Sequence, residues 1–153
     1  MTGARIAGYP IHPILVGIPI GLCTLSVFTD FVRLTGLGKP VWFDIGCYAI
    51  AAGIVGALVA AVPGLVDYLK ITDARVRDLA FAHMVAMLFV VGIFGLSLWD
   101  RWEGDHGLRP VAISIVGLLL LGVVGWLGGE MVFVHGTGMD AAAAPPRTRR
   151  KVA

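Results

Sequence analysis

The chain has 153 residues, of which 58% are hydrophobic and 14% are charged, with a formal net charge of +2. Its mean hydropathy is +0.87, whereas an ordinary soluble domain carries roughly 25% charged residues. This composition excludes a water-soluble globular protein and indicates an integral membrane protein. The small net charge gives no reason to expect a nucleic-acid partner.

Four apolar runs are long enough to cross a bilayer, since a transmembrane helix needs about 20 residues. They predict spans at about 13–32, 45–66, 79–98 and 111–134, joined by short loops. The predicted fold is therefore all-α, an integral membrane four-helix antiparallel bundle in one domain covering 1–139. Residues 140–153 are rich in Ala and Pro and end in a basic cluster, which predicts a disordered cytoplasmic tail.

Local signals mark the ends of these spans in chain order. The first span opens with "YPIHP", where Pro13 is predicted at the first helical position and His12 as the cap residue. A Pro63-Gly64 break is predicted to close the second span. Thr72 or Asp73 is a candidate N-cap for the third span, and Pro110 falls near the first turn of the fourth.

The distribution of Lys and Arg predicts the orientation, because positively charged loops are retained in the cytoplasm. The N-terminus, second loop and tail hold eight Lys and Arg residues, against four in the first and third loops. We therefore expect both termini in the cytoplasm, in a multi-pass protein of the bacterial inner membrane. Cys23 and Cys47 lie within apolar runs without a CxxC spacing, so they predict reduced packing residues and no disulfide.

A weak repeat links the first and third spans. Asp30 follows His12 by eighteen residues, and Asp100 follows His83 by seventeen. One interpretation is that the bundle consists of two related helical hairpins, with an axis along the membrane normal. Whatever the ancestry, the first and third helices run the same way, so each brings a histidine in from the cytoplasmic end.

Ionisable residues within spans are costly and are the default functional candidates in a membrane protein. Five of them belong to the cytoplasmic half of the predicted bundle, and they are the candidate cofactor-binding residues: His12, Asp67, His83, Glu130 and His135. A haem b or a quinone headgroup near the first and third spans is one interpretation. A metal site formed by His12, His83, Glu130 and His135 is another.

Each candidate also has a structural explanation. The histidines at the interface can contact headgroups and water, and Glu130 can extend its carboxylate to the interface. Asp67 can pair with Lys70 at a helix end. Asp30 and Asp100, near the opposite interface, are expected to pair locally with Arg33 and Arg101. His106 belongs to this second side as well.

The motifs together resemble a known family. They are "IHPILVGIPIG", "PGLVDYL", "FAHM" and "GWLGGEMVFVHGTG", and their combination is similar to the bacterial membrane family called domain of unknown function 2231, over about residues 8 to 139. The resemblance implies a compact four-span bundle, joined in some relatives to a Rieske-type iron–sulfur domain. It singles out His12, Pro13, Pro19, Asp30, Gly64, Asp67, His83, Gly128, Gly129, His135 and Gly136.

The resemblance points toward membrane electron transfer, but this chain lacks the two Cys-x-His pairs of a Rieske centre. Any iron–sulfur or other redox partner must then be a separate polypeptide. The leading hypothesis is an accessory redox subunit that binds haem b or quinone in the lipid bilayer. The alternatives are a metal-binding membrane protein and a non-catalytic scaffold subunit of a membrane complex, with transport a weaker fourth.

No catalytic motif supports an enzyme. Ser26, Ser97 and Ser114 lie in apolar spans without a neighbouring base, and the sequence holds no phosphate-binding glycine loop. Activity of its own is therefore the less favoured interpretation, and no catalytic residue is predicted. Small residues at helix-packing spacing are compatible with a homodimer as well as with closure of one bundle.

Overall fold

The computed structural model describes residues 4–36 and 39–137. Its helices are α1 (Ile11–Leu15), α2 (Gly17–Leu34), α3 (Val41–Tyr68), α4 (Ala74–Trp102) and α5 (Leu108–Phe133), after two short strands, β1 (Arg5–Ile6) and β2 (Tyr9–Pro10). The predicted tail at 140–153 lies outside the described residues. Helices α3, α4 and α5 are longer than the predicted spans by six, nine and two residues, respectively.

The N-terminal segment folds as a hairpin before the first membrane helix. Strands β1 and β2 pair antiparallel, and the turn between them places Ala7 and Gly8 at φ 48° and 84°, as a tight two-residue hairpin turn requires. Helix α1 then begins at Ile11 with Pro10 as its N-cap. The prediction that His12 is the cap residue is therefore wrong, because the helix starts one residue before it.

Helices α1 and α2 form one span interrupted at Val16. Pro19 follows the interruption and has no amide hydrogen to donate to the carbonyl of Leu15, so the continuous hydrogen-bond ladder is lost there. Proline is tolerated within the first turn of the new helix, α2.

The second span does not break at Pro63-Gly64 as predicted. Helix α3 continues through Pro63 to Tyr68, and neighbouring helices commonly allow proline within membrane helices by supplying other partners for the freed backbone groups. At the start of α4 the prediction is confirmed for Asp73, whose side chain accepts hydrogen bonds from the amides of Arg75 and Val76.

The helices form a four-helix antiparallel bundle, as predicted. Packing is most extensive within the hairpins α2–α3 and α4–α5, and the contacts α3–α4 and α2–α5 join the hairpins, so α2 and α4 occupy opposite corners. The buried core consists of Cys23, Ile50, Val90, Phe94, Leu98, Leu121 and Val124. Large apolar side chains such as Leu88 and Leu119 are exposed on the outside, and each of the four spans is long and apolar enough to cross a membrane. The bundle therefore faces lipid.

Candidate functional site

His12 reaches from α1 to the backbone of α3. Its Nδ1 lies 2.7 Å from the carbonyl oxygen of Ala60, and its ring lies against Gly64, one turn further along α3. A Cβ atom on Gly64 would stand 2.8 Å from Nδ1, so only glycine leaves room for the imidazole in this position.

His83 makes the same arrangement between α4 and α5. Its Nδ1 lies 3.1 Å from the carbonyl oxygen of Val124, and its ring lies against Gly128, again one turn further along. A Cβ atom on Gly128 would stand 3.1 Å from Cε1 of the ring. In each hairpin, therefore, one histidine hydrogen-bonds to a carbonyl of the second helix and packs against a glycine one turn further along.

The two rings lie at the same end of the bundle, called here the histidine end. They belong to opposite corners of the bundle and are both partly buried. The expectation that the first and third spans bring a histidine each to one end is met by this geometry.

The hydrogen bonds define the chemistry of the free ring nitrogens. A carbonyl oxygen can only accept, so each Nδ1 carries the hydrogen, and in a neutral imidazole Nε2 is then left with its lone pair. Neither Nε2 has a hydrogen-bond partner among the described residues. A histidine that donates Nδ1–H to a carbonyl and offers Nε2 is the usual arrangement of a metal-ligating imidazole.

Asp67 serves the histidine end indirectly. Its Oδ1 accepts a hydrogen bond from the amide of Ala4 at 2.7 Å, and the carbonyl of Ala4 in turn accepts from the amide of Ile11 at 3.0 Å. The end of α3 therefore holds the N-terminal hairpin, and the hairpin leads directly into the helical turn that carries His12.

Glu130 and His135 are placed differently from the histidine pair. Glu130 is partly buried on α5, while His135 follows the helix with an exposed side chain. In residues 4–36 and 39–137, no group of three or more His, Cys, Asp and Glu side chains is close enough to hold a metal ion. The structure thus places His12 and His83 at one end of the bundle without gathering three of the four proposed metal ligands into one site.

Sequence reasoning missed a buried ionic network at the other end of the bundle, called here the ion-pair end. Arg101 donates to both carboxylate oxygens of Asp30, at 2.9 and 2.5 Å, and these two side chains are 0% and 1% exposed. Arg101 also donates to Ser97 and Ser114 at 3.3 and 3.4 Å. The two hydroxyls are 2.7 Å apart, so the network is closed within the bundle.

One of the two predicted local pairs at this end is wrong and the other is present. The predicted partner of Asp100 is Arg101, but Asp100 Oδ2 lies 3.2 Å from Nε of Arg109. The predicted pair of Asp30 with Arg33 is found as a longer contact of 3.9 Å beside the bidentate contact with Arg101, and Arg33 also donates to the carbonyl of His106 at 2.7 Å. A bidentate contact across the bundle satisfies more donors than a neighbour three residues away on the same helix.

Comparison with known proteins agrees with this membrane architecture. No curated protein and no solved structure matches the chain. A family model described as a predicted membrane protein, DUF2231, matches residues 8–141, which include all four spans. The chain therefore belongs to this family of membrane proteins of unknown function, DUF2231.

Proposed function

We propose that the protein is a membrane electron-transfer subunit in which His12 and His83 would hold one haem b at the histidine end. The observation that supports this proposal is the shared arrangement of the two rings. Each donates Nδ1–H to a carbonyl of its own hairpin, so both leave Nε2 as a ligand atom. Bound haem would supply an iron that cycles between two oxidation states.

Two histidines are enough to hold a haem, whereas a bare metal ion usually needs more protein ligands. The porphyrin supplies four nitrogens, so the protein needs to supply only two axial ligands. A bare transition metal or zinc ion usually takes three or four protein ligands. The described residues gather no such group, which favours haem over the metal site suggested by the sequence.

The same hydrogen bonds weigh against an oxidised quinone. Quinone oxygens accept hydrogen bonds, and an imidazole whose Nδ1–H is already donated offers only a second acceptor when it is neutral. A reduced quinol could donate its hydroxyls to the two Nε2 atoms. Quinol binding is therefore the second candidate, and it is separated from haem by the absorption spectrum.

The first test is the absorption spectrum of the detergent-purified full chain, produced with ample haem and recorded in oxidised and dithionite-reduced forms. We expect a Soret band with sharp reduced α and β bands and about one haem per chain, as six-coordinate haem with two histidines requires. Each of the variants His12→Ala and His83→Ala should lose the low-spin spectrum.

Two further histidines serve as matched controls. His135 is exposed beyond α5, and His106 stacks on Phe43 with ring centroids 4.1 Å apart at the other end. The variants His135→Ala and His106→Ala should keep the spectrum. A wild-type protein without a Soret band under these conditions contradicts haem binding, and quinol extracted in stoichiometric amount from that sample would favour the second candidate.

Electron transfer requires a partner, which we propose to be a separate redox polypeptide. Cys23 and Cys47 both lie within membrane helices, and they offer too few thiolates for an iron–sulfur cluster of their own. With the termini on the cytoplasmic side, the histidine end faces the cytoplasm and the partner would dock there.

A further inference from the structure

The two hairpins use equivalent positions. Asp30 and Arg101 are 71 residues apart, and the same spacing relates His12 to His83 and Ser26 to Ser97. Both serines are fully buried. A constant spacing along α1–α2 and α4 means that these three pairs occupy corresponding positions in two copies of one unit.

Positions in α3 and α5, the second helices of the two hairpins, also correspond to each other, with a constant spacing of 64 residues. It relates the carbonyls that accept from the histidines, Ala60 and Val124, and it relates Gly64 to Gly128. The contacts of His12 in the first hairpin are therefore repeated by those of His83 at corresponding positions of the second.

A third pair of contacts tests this register away from the histidines. Gly53 and Gly117 are also related by the spacing of 64 residues. A Cβ on Gly53 would stand 2.9 Å from Cys23, and one on Gly117 would stand 2.9 Å from Phe94. Cys23 and Phe94 are themselves 71 residues apart. Helices α2 and α3 therefore pack in the same register as α4 and α5.

This register makes the ion pair unusual. Residues at equivalent positions of two copies meet each other only where they straddle the axis that relates the copies. Asp30 and Arg101 are equivalent, touch each other, and carry opposite charges. If either hairpin were paired with a copy of itself, two buried carboxylates or two buried guanidinium groups would meet at the same place.

We propose that Asp30 and Arg101 determine which hairpin pairs with which: they bind the first hairpin to the second and prevent each from pairing with its own kind. The pair acts like the opposite charges that select heterodimers in coiled coils, where the repulsion in the wrong pairing is as important as the attraction in the right one. This inference does not depend on any ligand at the histidine end.

The correspondence between the two hairpins predicts which substitutions would transfer the arginine and its hydroxyl partners from the second hairpin to the first. The position of Ser97, which accepts from Arg101, is matched by Ser26, but the position of Ser114 is matched by Ile50. An arginine at position 30 could therefore donate to the hydroxyl of Ser26, and the change Ile50→Ser would supply a second hydroxyl.

The test uses the full chain and the midpoint of thermal unfolding in detergent. Asp30→Arg and Arg101→Asp alone should each lower the midpoint by about 10 °C or more, or prevent isolation of a monodisperse protein. The double variant Asp30→Arg/Arg101→Asp should recover part of the loss. Adding Ile50→Ser and Ser114→Ile to that double variant should recover more. Glu103→Arg, an exposed charge reversal at the same end, should leave the midpoint unchanged.

Single variants that unfold like the wild type would overturn the proposal. The proposal would also be overturned if the double and quadruple variants both had unfolding midpoints no higher than those of the single variants, because the two positions would then not be interchangeable. A quadruple variant no better than the double would overturn the assigned register of Ile50 and Ser114.

A second measurement separates selection from stability. The neutral variant Asp30→Leu/Arg101→Leu should fold, because an apolar pair often replaces a buried ion pair at little cost. It should give a larger crosslinked dimer fraction than the wild type at equal concentration, since its hairpins no longer discriminate. A dimer fraction equal to that of the wild type would overturn the selective role.

Discussion

At the scale of single residues, the two glycines beneath the imidazoles decide whether the histidine pair can form. A Cβ on Gly64 would stand 2.8 Å from the ring of His12, and one on Gly128 would stand 3.1 Å from the ring of His83. Gly64→Ala should displace His12, because the new methyl group and the ring cannot share the space, and Gly128→Ala should shift His83 by a smaller amount. We expect reduced haem content in both variants, measured by the Soret absorbance per chain.

A glycine with open surroundings on α5 provides the control for this prediction. Apart from the backbone of α5 itself, no heavy atom of the described residues lies within 4 Å of a Cβ built on Gly125. Gly125→Ala should keep full haem content. Equal losses in Gly125→Ala and Gly128→Ala would mean that general helix packing, and not the seat of the imidazole, is responsible.

At the scale of elements, the N-terminal hairpin depends on one carboxylate of α3. Asp67→Ala removes the acceptor of the Ala4 amide, so the hairpin should detach from the bundle and the amides of residues 4–9 should exchange faster with solvent deuterium. Asp67→Asn keeps an oxygen acceptor and should show a smaller increase. Unchanged exchange in Asp67→Ala would contradict the anchoring role.

The start of α4 provides a second prediction at this scale. Asp73 accepts two amide hydrogen bonds as the N-cap, so Asp73→Ala should destabilise the protein by about 1 kcal/mol. The exposed Asp78 of the same helix is the matched control. Thermal unfolding in detergent should show a lower midpoint for Asp73→Ala than for Asp78→Ala, and equal midpoints would contradict the cap.

At the scale of the whole molecule, the burial of Arg101 increases the difference between the two ends in the number of Lys and Arg residues available in the loops. Arg101 is 3% exposed and bound to Asp30, so it no longer counts among the loop charges of the ion-pair end. The histidine end keeps its excess of Lys and Arg. The positive-inside rule then favours the predicted orientation more strongly than the sequence count does.

Single cysteines introduced into a variant free of Cys23 and Cys47 test that orientation. A cysteine at exposed Arg77 should be protected from a membrane-impermeant maleimide in intact cells, whereas a cysteine at exposed Glu103 should be labelled. Both should react after the cells are lysed. The reverse pattern would place the histidine end outside the cytoplasm.

The architecture was predictable because bilayer thickness fixes helix length and short loops fix antiparallel order. The presence of His12 and His83 at one end of the bundle followed from the parallel course of the first and third helices. The ion pair did not follow, because hydropathy locates a charge at a span edge without showing which way it faces. The spacing of 71 residues shared by the histidines and by Asp30 and Arg101 is the available signal, whereas the predicted repeat pairs Asp30 with Asp100, one residue before Arg101.

The spacing of these contacts along the chain sets an order of events during synthesis. His12 and Ala60 are 48 residues apart, so the first hairpin can seat its histidine before α4 has been translated. Asp30 must wait 71 residues for Arg101, and until then its carboxylate has no partner of equal strength. The bidentate contact of Asp30 is therefore completed only after α4 has been synthesised, and the first hairpin on its own does not contain it.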